Sequence, residues 1–145
     1  MATQIKIKNI PTGYQSIISN GKHTIIGDEP INVKGTDLGM TPTQLVLAGI
    51  SMCKVATIRN VARRNNIAIG EVDAELTQVA KKNRDGSIST VVNSAIKIEG
   101  DITEEQRAML VKEADNCYVT RMVRGEWTFN ESTVLELETQ NPVLA

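Results

Sequence analysis

TPTQLVLAGISMC, residues 41–53, is the stretch that decides the architecture. Thr41 is a good helix N-cap, and Pro42 suits the first turn, where its missing N–H would be unpaired anyway. The helix they open is expected to run to about Asn66. From Leu45 to Cys53 only Ser51 is plainly polar, so this half needs cover on nearly every side. From Lys54 onward the pattern is amphipathic, with Val55, Ile58, Val61 and Ala62 set against Lys54, Arg59, Arg63 and Arg64. One helix in a chain of 145 residues rarely hides its whole circumference within that chain. A second subunit over the first half is the simplest remedy, so a homodimer is expected.

Towards the N-terminus, Ile5 and Ile7 alternate with Lys6 and Lys8 as in a strand. Ser16–Ile18 and Thr24–Ile26 flank Asn20-Gly21, a pair that accepts the positive φ angles of a type I′ hairpin turn. Asp28 to Gly39 reads as a loop. Beyond the helix, Val72, Ala74 and Leu76 alternate with Asp73, Glu75 and Thr77, while Ile88, Val92, Ile96 and Ile98 share another face. Asn83-Arg84-Asp85-Gly86 is the turn between these two strands. Thr103 and Gln106 have capping-box spacing and open a helix that ends near Ala114. Asp115-Asn116 is expected to cap a short helix from Cys117 to Arg124, stopped at Gly125. Val134, Leu135 and Leu137 suggest a last strand. The order is β-β-β-α-β-β-α-β, an α+β fold in a single domain over residues 1–145.

Composition narrows the function. Lys+Arg is 16 against Asp+Glu 17, a balance that argues against a nucleic-acid partner. Aromatic residues are only 3%, so the core must be aliphatic and stacking platforms for bases are scarce. The longest uncharged stretch, Leu38 to Cys53, is 16 residues interrupted by Gly39, Pro42 and Gly49, too short to span a bilayer. The first residues carry no hydrophobic signal region. The expectation is a soluble, cytoplasmic protein with no membrane association.

Two cysteines, Cys53 and Cys117, lie 64 positions apart. A reducing compartment argues against a permanent disulfide, and one histidine with no CxxC argues against zinc. No metal or cofactor is expected. Cys117 begins a helix, where free N–H groups favour an anion, and Arg121 lies one turn further on the same face. Cys53 ends the apolar half of the long helix, a place where cysteine often packs as a small hydrophobe. Lys54 follows it and marks the edge between the buried and solvated halves. His23 has no catalytic neighbour, and Glu104 with Glu105 suits a helix first turn. Arg59, Arg63 and Arg64 read as a solvated face. The loop Gly35-Thr-Asp-Leu-Gly39 looks like an anion-binding loop but lacks the phosphate-loop lysine.

TDLGMTPTQLVLAGISMC, residues 36–53, resembles the helix-opening segment of the OsmC/Ohr family, in which a proline, an aliphatic stretch and a cysteine follow one another. IEGDI at 98–102, then a helix and ADNC at 114–117, is similar to the family's second signature. There the family usually has proline after the cysteine, and this chain has Tyr118. The resemblance implies antiparallel sheets around a central helix, an intertwined homodimer, and cysteine-based reduction of organic hydroperoxides in oxidative-stress defence. By position Cys53 would be peroxidatic and Cys117 resolving, with an external dithiol as reductant. The helix N-terminus instead favours Cys117 as the more acidic thiol. The family also holds its first cysteine as thiolate with an arginine from the N-terminal strands and a glutamate ten residues before that cysteine. Here the first arginine is Arg59 and the matching position is Thr43, leaving Lys6, Lys8 or Lys22 to supply charge. That loss favours a rival reading, a non-catalytic dimer that binds a small apolar ligand.

Overall fold

The computed structural model describes residues 2–136. Three short strands, β1 (Lys6–Asn9), β2 (Ser16–Ser19) and β3 (Thr24–Gly27), form an antiparallel sheet in sequence order. Ile7 faces Ile18, and Ile18 faces Ile25 across it. The β2–β3 turn is longer than a two-residue type I′ turn. Ser19 pairs with Thr24, and the Asn20 side-chain oxygen accepts from the amides of Lys22 (2.9 Å) and His23 (2.7 Å). That side chain replaces a backbone turn bond, and Gly21 takes the positive φ.

Helix α1 (Pro42–Arg64) opens with a capping box. Thr41 Oγ1 accepts from the Gln44 amide, and Gln44 Oε1 accepts from the Thr41 amide at 2.9 Å. By length and composition α1 alone among the described helices is apolar enough to cross a membrane. Its inward residues are Ile50, Lys54, Ile58 and Ala62, four apart along one stripe. This stripe corrects the sequence reading of Lys54, which is buried although it begins the amphipathic half. Arg59 is likewise half-buried, donating to the carbonyls of Ile69 and Gly70 where the chain leaves α1. Arg63 and Arg64 are solvated as expected.

Strands β4 (Val72–Lys82) and β5 (Ile88–Ile98) form a long antiparallel hairpin, paired from Val72↔Ile98 to Lys82↔Ile88. Helix α2 (Glu104–Asp115) starts with the Thr103–Gln106 capping box, and α3 (Tyr118–Arg124) follows at once. The core is aliphatic, with Ile58 and Ala62 of α1, Ile98 of β5, and Leu110 and Ala114 of α2 all buried together. The described part of the last expected strand does not form. Residues 126–136 pair with neither sheet although both sheets have open edges, and Val134 and Leu135 are almost fully exposed, so local β-propensity alone makes no strand here. Leu137 lies outside the described residues.

The loop before α1 does bind an anion, and the anion is the chain's own. The Asp28 carboxylate accepts from the amides of Tyr14, Glu29, Thr36 and Leu38 and from the Thr36 hydroxyl. The Thr36 hydroxyl is the largest influence holding Asp28 well below the ordinary carboxylate range; burial opposes it, and the backbone amides reinforce it. Glycine is required where this loop crosses β3, since a Cβ on Gly39 would lie 2.1 Å from the Ile26 carbonyl oxygen. Gly27 and Met40 pair as a parallel bridge one residue before the α1 cap, so the loop fixes where the helix begins.

Because the folded pKa of Asp28 is depressed, its stabilisation is present above the unfolded value and lost as pH falls below it. Asp28→Asn is expected to lower the melting temperature at neutral pH. The gap to the parent should narrow below about pH 4, where the parent carboxylate begins to be protonated on unfolding. Thermal unfolding followed by circular dichroism between neutral pH and about pH 3 measures this; a gap that stays constant would contradict it.

Candidate functional site

The packing of α1 against α2 and α3 brings together two cysteines that sequence separates by 64 positions. Cys53 stands half-buried near the middle of α1, and the Val119 amide in the first turn of α3 donates to its sulfur at 3.4 Å. Cys117 is itself the N-cap of α3, with extended backbone (φ −66°, ψ 154°). The cap therefore is not Asp115-Asn116, as the sequence suggested. Its sulfur lies 2.9 Å from the Thr120 hydroxyl oxygen, three residues on, where a serine or aspartate cap would take its bond. Cys117 is 1% exposed, and both cysteines are free thiols.

Burial pushes the Cys117 thiol up, and several groups together outweigh it, so the net displacement is below its ordinary value. The Thr120 hydroxyl and amide favour the thiolate first, then a hydrogen bond from the Cys53 thiol, then the positive charge of Lys54. The Cys117 thiol is displaced in the direction that a helix terminus favours. The cation differs from the sequence reading, however. Arg121 is exposed, its guanidinium 5.9 Å from the centre of the Tyr118 ring. Lys6, Lys8 and Lys22 are exposed on β1 and the β2–β3 turn. Lys54 is 5% exposed, and its Nζ reaches Asp115 Oδ1 at 3.0 Å.

A cavity of about 560 Å3 opens between α1, β5 and α3, lined by neither cysteine. Lys54 and Thr120 stand on its wall, with Asn93 and Ser94 of β5 and Arg124 of α3. The arrangement offers a thiol pair, a buried cation and a neighbouring polar chamber, the parts that reversible thiol oxidation requires. Among the described residues no cluster of three or more His, Cys, Asp or Glu side chains is placed to hold a metal. His23 is exposed in its turn, and Glu104 and Glu105 lie in the first turn of α2, with Glu104 paired to Arg107. Thr120, Asp115 and the Val119 amide escaped the sequence reading. Thr120 had a signal available, since it stands three residues after an N-cap cysteine; Asp115 and Val119 had none, because only tertiary packing brings them to α1.

A model of the family described as OsmC-like protein matches residues 35–132, which include both cysteines. An uncharacterized protein of Methanocaldococcus jannaschii is 30% identical over 102 residues, 67% of this chain and 50% of the relative. The chain thus spans about half the length of that curated relative. Among solved structures, an OsmC-like protein from Mycoplasma pneumoniae superposes with a TM-score of 0.74 at 19% identity, covering 86% of this chain and 89% of that one. The organic hydroperoxide resistance protein OhrB of Bacillus subtilis superposes with a TM-score of 0.63 at 21% identity, covering 86% and 92%. These two show a shared fold. With the family model spanning both thiol segments, the chain belongs to the OsmC-like protein family.

Proposed function

We propose that this protein reduces organic hydroperoxides by cycling Cys53 and Cys117 between dithiol and disulfide. The observation that carries the reading is the meeting of the two thiol segments, with the Cys53 sulfur accepting from the Val119 amide in the first turn of the helix that Cys117 caps. Organic hydroperoxide resistance in the name of a protein of the same fold supports the substrate class. In the first step the Cys53 sulfur bonds to the outer peroxide oxygen and the O–O bond breaks. The alkoxide leaves as alcohol with one proton, and Cys53 becomes a sulfenic acid. Cys117 then attacks the Cys53 sulfur, the S–O bond breaks, and hydroxide leaves as water with a second proton. An external dithiol returns the pair to its starting state. Such a reductant belongs to a reducing compartment, which fits a cytoplasmic location.

The outer half of α1 supports a homodimer as the working unit. Val46 is 59% and Met52 73% exposed on a single chain, one of them next to Cys53, and Leu38 and Met40 just before α1 are exposed as well. The rival reading, a binding protein without catalysis, draws on a smaller apolar cavity of about 250 Å3 between the first sheet and α1, walled by Ile7, Ile18, Met40 and Leu45.

Treating the reduced protein with an organic hydroperoxide is expected to give an intrachain Cys53–Cys117 disulfide, read by mass spectrometry of non-reduced peptides. Cys117→Ser should stop at a sulfenic acid on Cys53 that a dimedone probe captures, and Cys53→Ser should consume no peroxide. If neither variant alters peroxide consumption, the binding reading takes its place. Light scattering is expected to give twice the chain mass. Met52→Asp should shift that mass towards the monomer by placing a charge in the interface; a parent that is monomeric at micromolar concentration would remove the dimer.

A further inference from the structure

The 560 Å3 cavity between α1, β5 and α3 has the size of a small-molecule site. Its wall carries two cations and one carboxylate: Lys54, Arg124 and Asp115. Water serves the three unequally. Lys54 is 5% exposed, and among the described residues the three N–H donors of its ammonium meet one acceptor, Asp115 Oδ1 at 3.0 Å. Both partners line the cavity, so their contact lies at its wall. A buried ammonium is costly unless its donors are met, and one carboxylate offsets that only in part. Here the carboxylate is weakened further, since the Asp115 side chain is 66% exposed and shares its charge with water. Arg124, at the exposed rim, enters no ion pair among the described residues. The wall therefore holds one positive charge in excess.

The remaining lining narrows the kind of anion that fits. Asn93 and Ser94 of β5 and Thr120 of α3 bring an amide and two hydroxyls, while Ile50 and Val123 add apolar wall. A guanidinium pairs with carboxylate or phosphate alike. The single excess charge suits a monoanion, and Asp115 on the same wall repels a dianion more strongly. Amide and hydroxyl groups suit a ligand with polar substituents, and the aliphatic side chains suit a short carbon skeleton.

We propose that this cavity is a binding site for a small organic monocarboxylate bearing amide or hydroxyl groups, with Lys54 and Arg124 as the cationic partners of its carboxylate. Asn93, Ser94 and Thr120 meet its polar substituents, and Ile50 and Val123 its carbon skeleton. The site is distinct from the smaller apolar cavity against the first sheet, and it stands whether or not the thiols react with peroxide.

The probe is N-acetylleucine, which joins a carboxylate, an amide and a branched aliphatic chain. Its binding to the full, reduced chain is followed by heteronuclear NMR, and shifts are expected at Asn93, Ser94, Thr120 and Val123. N-acetylleucinamide, of the same shape without the charge, should bind about tenfold more weakly or worse. Arg124→Gln should weaken N-acetylleucine modestly, as befits an exposed cation, and Lys54→Met should abolish its binding. Asp115→Asn should tighten it, because the ammonium then has no competing carboxylate. These opposite signs separate ligand recognition from a structural role, in which breaking the Lys54–Asp115 contact from either side would weaken binding alike. Asp115 and Arg124 are exposed, so their variants report even if Lys54→Met fails to fold. No shift at the cavity residues up to tens of millimolar overturns the proposal. So does equal binding of the amide, equal binding of inorganic phosphate, or shifts confined to Ile7 and Ile18 at the apolar cavity.

Discussion

The ion pair between Lys54 and Asp115 ties together the three helices on which the thiol site depends. Lys54 projects inward from the centre of α1, and Asp115 is the last residue of α2. Their 3.0 Å contact sets where α2 ends against α1, and two residues later the chain caps α3 with Cys117. The placement of Cys117 beside Cys53 is thus a consequence of helix register. In stability the pair contributes little, since one partner is largely solvated. Its contribution is to specificity: an isoleucine at position 54 would pack α1 and α2 together and leave their sliding free, whereas a charge accepts few registers.

A second carboxylate fixes the other end of the same helix. Asp28 gathers three amides and a hydroxyl of the loop that leads into α1 and the Tyr14 amide of the β1–β2 connection. Those bonds hold Thr36 and Leu38, Gly39 passes against the β3 backbone, and Met40 bridges to Gly27 immediately before the Thr41 cap. The entry to α1 is therefore referred to the first sheet, and its midpoint to α2. Between these two fixed points lies the half-helix whose Val46 and Met52 face outward on one chain. The element that carries Cys53 is anchored at its entry and its midpoint and exposed on its outer side on a single chain.

Most of the fold was legible because its signals are local. Thr41-Pro42, the Thr103–Gln106 box, the period-two strands and the Asn-Gly and Asp-Gly turns all act within a few residues of where they are read. The family resemblance was legible for the same reason, resting on two contiguous segments around Cys53 and Cys117. What escaped was the meaning of charge. Lys54 looked like the start of a solvated face, because a helical pattern records spacing and cannot show that α2 brings a carboxylate to one position on it. Arg59 was misread similarly, since its partners are backbone carbonyls ten and eleven residues away. Glycines and amides in the 35–39 loop did resemble an anion site, and the occupant was hidden because it is a residue of the preceding strand's exit, Asp28. The described part of the expected last strand failed for a related reason: β-propensity in Val134 and Leu135 is local and does not by itself dock a segment on a sheet.

The departures from the family pattern acquire a physical sense in this arrangement. An arginine reaching in from the N-terminal strands must be carried to the thiol by tertiary docking and held there by an orienting acid. Lys54 is delivered by the helix that carries Cys53, one residue along, so its distance from the thiols varies little as the sheets move. An ammonium is a compact point charge without the planar fork of a guanidinium. It can bias the ionisation of a sulfur yet cannot clamp a substrate oxygen in two places. Its carboxylate partner is correspondingly simple, one oxygen of Asp115 from the end of the next helix. At Cys117, the capping residue of α3, the thiolate is favoured first by the Thr120 hydroxyl and amide, and the charge of Lys54 acts last.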